Sequence, residues 1–119
     1  MKLINIALVF LFSANVLASE KPQTTKAEIE HLFQYLEESG CQFNRNGVWY
    51  TPIEAVDHIK TKYEYLLGKD MISTTESFIE KAATKSSMSG EQYQVKCENQ
   101  AAVPSSTWFA KELKKYREI

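Results

Sequence analysis

The stretch Ser39-Gly40-Cys41-Gln42-Phe43-Asn44-Arg45-Asn46-Gly47-Val48-Trp49-Tyr50-Thr51-Pro52 stops one helix, turns the chain back on itself and starts another. Glycine most easily takes the left-handed conformation past a helix end, so Ser39-Gly40 closes what precedes it. Cys41 and Phe43 alternate with Gln42 and Asn44, and Val48 and Tyr50 alternate with Trp49. Between those runs stands Arg45-Asn46-Gly47, and Asn-Gly is the strongest short-range hairpin signal because both residues tolerate positive φ. A two-stranded hairpin follows from this. Thr51-Pro52-Ile53-Glu54 then has the form of a capping box with proline at the first helical position, where its missing N–H costs nothing.

Flanking this stretch, Thr25-Lys26-Ala27-Glu28 has the form of a capping box opening a helix whose Ile29, Leu32, Phe33 and Leu36 make one apolar stripe. The helix begun at Pro52 runs to Leu67, with Ile53, Val56, Ile59, Tyr63, Leu66 and Leu67 on one face and Gly68 as its stop. A third box, Ser73-Thr74-Thr75-Glu76, starts a shorter helix that turns Phe78, Ile79, Ala82 and Ala83 inward. Thr84 to Gly90 is a polar loop. Tyr93, Val95 and Cys97 alternate with Gln94 and Lys96 as a half-buried strand, which the hairpin needs, because two strands alone are marginal in water. After Pro104 a last helix spans about Ser105 to Arg117, with Trp108, Phe109, Leu113 and Tyr116 on one side. The fold class is therefore α+β: about four helices on a small, mainly antiparallel sheet of two or three strands, in a single domain over residues 19–119.

Residues 1–18 read as a secretory signal peptide. Lys2 precedes the apolar run Leu3 to Phe12, and Val16-Leu17-Ala18 supplies small residues where a peptidase checks, so cleavage is expected after Ala18. A spanning helix needs roughly 20 apolar residues, and Ser13, Ala14 and Asn15 interrupt this run, so no stable membrane insertion is expected after cleavage. About 100 residues remain, enough to fold alone with a modest margin. The net charge of −1 over 119 residues leaves no field to concentrate polyanions, which argues against nucleic acid as a partner.

Cys41 begins the hairpin and Cys97 ends the strand expected beside it. In an exported protein two such cysteines most simply form a disulfide. Two free buried thiols are the plain alternative. A redox-active pair is disfavoured because such pairs are usually close in sequence.

With those residues laid out, the chain resembles the YfeK-like family of small exported bacterial proteins of unknown function. The resemblance rests on Ser39-Gly40-Cys41, Phe43, Arg45-Asn46-Gly47 and Tyr50, on Glu76 with Phe78-Ile79, on Ser86-Ser87, Ser89-Gly90, Tyr93 and Val95, and on the closing helix from Trp108 to Arg117. It implies the periplasm as the compartment and brings no activity, cofactor or catalytic residue.

No spacing meets the demands of a catalytic or metal site, and no cofactor is expected. His31 and His58 lie off their helices' apolar stripes and read as solvated surface residues; a zinc site would need three or four convergent ligands. Glu37 and Glu38, or Asp57 and Glu64, could serve as an acid and base on a cell-wall sugar only if held across a cleft with one pKa raised. Arg45 at the hairpin tip can fork to a carboxylate or phosphate, or tie the hairpin to a helix end. Ser86, Ser87 and Ser89 could hold an anion or simply turn the chain. Trp49 could anchor a partner. The possible ligand or partner surface is thus Arg45, Trp49, Ser86, Ser87 and Ser89. The function expected is a non-enzymatic periplasmic binding or interaction module, its partner a periplasmic protein or envelope component; the alternative is a small peptidoglycan-related hydrolase or hydrolase inhibitor.

Overall fold

The computed structural model describes residues 24–119, and the leader expected at 1–18 lies outside the described residues. The order along the chain is α1 (Thr25–Glu37), β1 (Gln42–Arg45), β2 (Val48–Tyr50), α2 (Pro52–Gly68), α3 (Thr75–Ala82), β3 (Gln94–Lys96), β4 (Val103–Pro104) and α4 (Ser105–Glu118). The strands form one antiparallel sheet in the order β2-β1-β3-β4. The α+β class holds, with one strand more than expected. That strand is two residues long and holds Pro104 at the sheet edge, a place where a residue without an N–H is tolerated.

Asn46 and Gly47 both take positive φ, 54° and 82°, which lets β1 and β2 turn in two residues. The turn sets Arg45 opposite Val48, Asn44 opposite Trp49 and Phe43 opposite Tyr50. On the other side of β1, Phe43 faces Val95 and Gln42 faces Lys96. One step further in the same register Cys41 meets Cys97 in a disulfide, their Cα atoms 4.2 Å apart. A Cβ at Gly47 would meet nothing within 4 Å, so only backbone strain opposes a side chain there. Gly47→Ala is expected to cost about 1 kcal/mol in chemical denaturation, with no change in the core.

The core lies between the sheet and the helices. Ile29, Leu32, Leu36, Phe43, Ile59, Phe78, Tyr93, Val95 and Phe109 are all essentially inaccessible. Phe78 packs edge to face with Phe33 and Tyr63, which are tilted against each other, with centroids 5.3 to 5.9 Å apart, joining α1, α2 and α3.

Five expectations need correcting. The hydroxyl capping α1 is that of Thr24, which accepts from Ala27 N; Glu28 does not close a box but turns inward. A guanidinium and a buried hydroxyl offer that carboxylate more than one backbone N–H does, and it takes Arg117 and Thr75 as partners. At α3 the reciprocal pair is Thr74 with Ser77, while Glu76 reaches Arg117. The box at Thr51 and Glu54 forms as expected. On α2, Ile53 is 59% and Leu67 48% exposed although both fall on the apolar arc. Seventeen residues make a helix about 25 Å long, and its two ends overrun the core that Ala55, Val56 and Ile59 reach. The helix also takes in Gly68, and the left-handed residue after it is Asp70. Lastly, neither histidine is simply solvated. His31 Nε2 lies 2.7 Å from Glu112 Oε2 and its ring stacks on Tyr116, while His58 Nε2 lies 3.2 Å from the Tyr93 hydroxyl.

A basic hollow between the hairpin and α2

The exposed polar face of α2 turns toward the inner edge of the hairpin and the loop that follows α3. His58, Thr61, Lys62 and Tyr65 recur at helical spacing along this face. β1 brings Arg45 alongside, because it alternates with Asn44 and so points the same way as Phe43. From the strand side comes Tyr93, whose ring is buried against Phe43 while its hydroxyl emerges at the floor. Arg45, His58, Lys62, Ser86, Ser87 and Tyr93 thereby share the wall of one hollow of about 380 Å³.

Hydrogen bonds link the bases through one hydroxyl. Lys62 Nζ donates to the Lys85 carbonyl at 2.8 Å and to the Tyr93 hydroxyl at 3.4 Å. The same hydroxyl lies 3.2 Å from His58 Nε2, within hydrogen-bond reach. Arg45 gives one N–H to the Tyr50 hydroxyl at 3.3 Å and lies 5.8 Å from the centre of that ring. Lys62 keeps one of its three donors and Arg45 most of its five for another partner.

Among the described residues neither Arg45 nor Lys62 has a carboxylate at salt-bridge distance. The cost shows in the proton affinities. Burial, then the nearby Arg45 and Lys62 charges, push His58 below the ordinary histidine value. Burial and Arg45 likewise push the Lys62 ammonium down. Burial raises the Tyr93 phenol, against the opposing pull of Arg45. Burial favours the neutral form of all three groups, and the converging positive charges reinforce it at His58 and Lys62 while opposing it at Tyr93.

The expected surface residues divide. Arg45, Ser86 and Ser87 come together in this hollow. The Ser86 hydroxyl is buried and accepts from Asn46 Nδ2, Met88 N and Ser89 N, so it shapes the loop. Ser89 donates to Asn46 Oδ1 at 2.6 Å and pins the loop to the hairpin tip. Ser87 stays exposed on the wall. Trp49 is 39% exposed and pairs with Asn44, which places it on the opposite face of the sheet. Sequence reasoning passed over His58, Lys62 and Tyr93. The signal that could have found two of them is their recurrence, with Tyr65, on one flank of α2.

Other hollows offer less. A groove between α1 and α2 carries Glu37, Glu38 and Glu64, all exposed. A general acid needs a carboxyl shielded enough to keep its proton, and solvated rim carboxylates do not provide one. A mostly apolar groove between α3 and α4 has Arg117 on its wall, already bound to Glu28 and Glu76. Among the described residues no group of three or more His, Cys, Asp or Glu side chains could hold a metal ion. No helix among them is long and apolar enough to cross a membrane.

No curated protein and no solved structure matches the chain. A protein-family model does match, over residues 23–117, and the chain accordingly belongs to DUF5329, a family of unknown function.

Proposed function

We propose that this protein is a non-enzymatic binding module of the bacterial periplasm, and that its hollow between the hairpin and α2 takes an anionic group of an envelope component. The observation that carries this reading is the meeting of Arg45, His58 and Lys62 around the Tyr93 hydroxyl with no carboxylate paired to them among the described residues. A carboxylate or phosphate entering there accepts from the free donors and relieves the mutual repulsion of the bases. What supports the compartment is the Cys41–Cys97 disulfide, a bond typical of oxidising surroundings, together with the apolar leader and the resemblance to YfeK-like exported proteins. The hydrolase alternative finds no support, since the carboxylates that motivated it are solvated.

Inorganic phosphate and N-acetyl-Ala-Ala, titrated into the isotope-labelled protein, test this reading by NMR. Amide shifts are expected at Arg45, along His58 to Lys62 and across Ser86 to Tyr93. Arg45→Ala and Lys62→Ala each weaken binding about tenfold or more, while Trp49→Ala leaves it unchanged. Because an anion beside His58 raises its proton affinity, binding strengthens as pH falls below about 6.5 and levels off below the depressed pKa of the free protein. Absence of shifts with both probes removes the site.

A further inference from the structure

The hollow does not end at Arg45. A second hollow of about 380 Å³ adjoins it, and Arg45, His58 and Thr61 stand on the wall of both. The two are halves of one groove that runs along α2, and their chemistry differs. Lys62, Ser87 and the Tyr93 hydroxyl line one half. Glu54, Asp57, Tyr50 and the buried Ala55 line the other.

The carboxylates of the second half are not equivalent. Glu54 Oε1 accepts from Thr51 N and Thr51 Oγ1, so it is occupied with holding the start of α2. Asp57 is exposed, and its carboxylate takes part in none of the side-chain hydrogen bonds or ion pairs among the described residues. Along the helix axis Asp57 precedes Lys62 by about 7.5 Å and Glu54 precedes it by about 12 Å, and Asp57 stands about 140° from Lys62 around the axis, with His58 and Thr61 between them. Acid therefore stands at one end of the groove, unpaired base at the other, and Arg45 between them.

We infer that the groove selects a short peptide, or a peptide-like molecule of the same span, by both of its ends: a free carboxylate at Arg45 and Lys62, and a free ammonium at Asp57. This rests on the anion-binding reading and adds the second charge. The spacing fits an extended dipeptide or tripeptide, since each residue covers about 3.5 Å. The exposed part of Tyr50 lies beside the path and offers an apolar wall to a small side chain. A ligand with two anionic ends meets Asp57 and is repelled, so the acid end also excludes the wrong class.

Tri-alanine and N-acetyl-tri-alanine separate the two readings. With the native protein, tri-alanine is expected to bind about fivefold more tightly than its acetylated form, the scale of one exposed ion pair. In Asp57→Asn that preference disappears through loss of tri-alanine affinity alone, and Asp57, a surface residue, leaves the fold intact. Lys62→Ala weakens both peptides equally. Equal binding of the two peptides to the native protein overturns the bipolar groove and leaves anion binding standing. Failure of both peptides and of inorganic phosphate to shift any amide overturns both.

Discussion

Replacing Cys41 and Cys97 together by alanine is expected to lower the unfolding free energy by about 4 kcal/mol, read from the midpoint of a urea titration. The bond spans 56 residues, which include the hairpin, α2 and α3, so the unfolded chain loses a large loop's worth of freedom when it is closed. The figure is at the upper end because an unfolded chain that retains structure has less entropy to lose. It is nonetheless a large share of the stability of a domain of this size. The disulfide extends the β1–β3 register by one pair, so it also fixes where Arg45 on β1 and Tyr93, just before β3, lie relative to each other. Anion binding should therefore weaken in the double variant even below its melting temperature. A loss of less than 1 kcal/mol would mean that packing of Phe43 against Val95 and Tyr93 holds the register unaided.

Helix starts and the hairpin were readable because each is signalled by neighbours in the chain. Thr51 and Glu54 are three residues apart, and Asn46-Gly47 needs no distant contact to turn. The same local logic misplaced the cap of α1. Thr25 to Glu28 has the letters of a capping box, yet Glu28 is claimed by Arg117, 89 positions away, and no local pattern announces that. The site shows the same division. Arg45, Ser86 and Ser87 invite attention as loop residues, whereas His58 and Lys62 look like an ordinary wet flank until the hairpin is laid against it. Trp49 was separable from Arg45 in principle. A two-residue turn pairs Arg45 with Val48, so the next residue must face the other way. The edge strand escaped notice because two residues, one of them proline, carry no alternation to read.

The ion cluster that claims Glu28 carries the second large effect. Glu28 is 4% exposed at the start of α1 and accepts from Arg117 Nε at 2.7 Å and Nη2 at 2.9 Å, in a two-pronged pair reaching to the end of α4. Thr75 Oγ1 donates to the same carboxylate from the first turn of α3, and Glu76 takes another prong of Arg117 at 2.6 Å. One guanidinium thus joins three helices. Arg117→Met keeps the aliphatic stem but takes two charge-assisted hydrogen bonds from a shielded carboxylate, and it is expected to cost about 2–3 kcal/mol at pH 7. That is below the usual 3–5 for breaking a buried pair because Arg117 itself is 39% exposed. Adding Glu28→Gln removes the shielded charge and should restore part of the loss, a non-additivity that a structural role confined to Arg117's own packing would not produce. The pH dependence also changes. In the native protein the hydrogen bond from Arg117 holds the Glu76 carboxyl below its ordinary value, so that contribution is present above the unfolded pKa and fades as pH falls through the folded one. Arg117→Met lacks that contribution at every pH, so its deficit narrows as the native protein is acidified from pH 7 to about pH 3. Urea titrations of the native, single and double variants at both pH values measure this directly, and a deficit equal at the two would show that the Glu76 pair contributes nothing to stability.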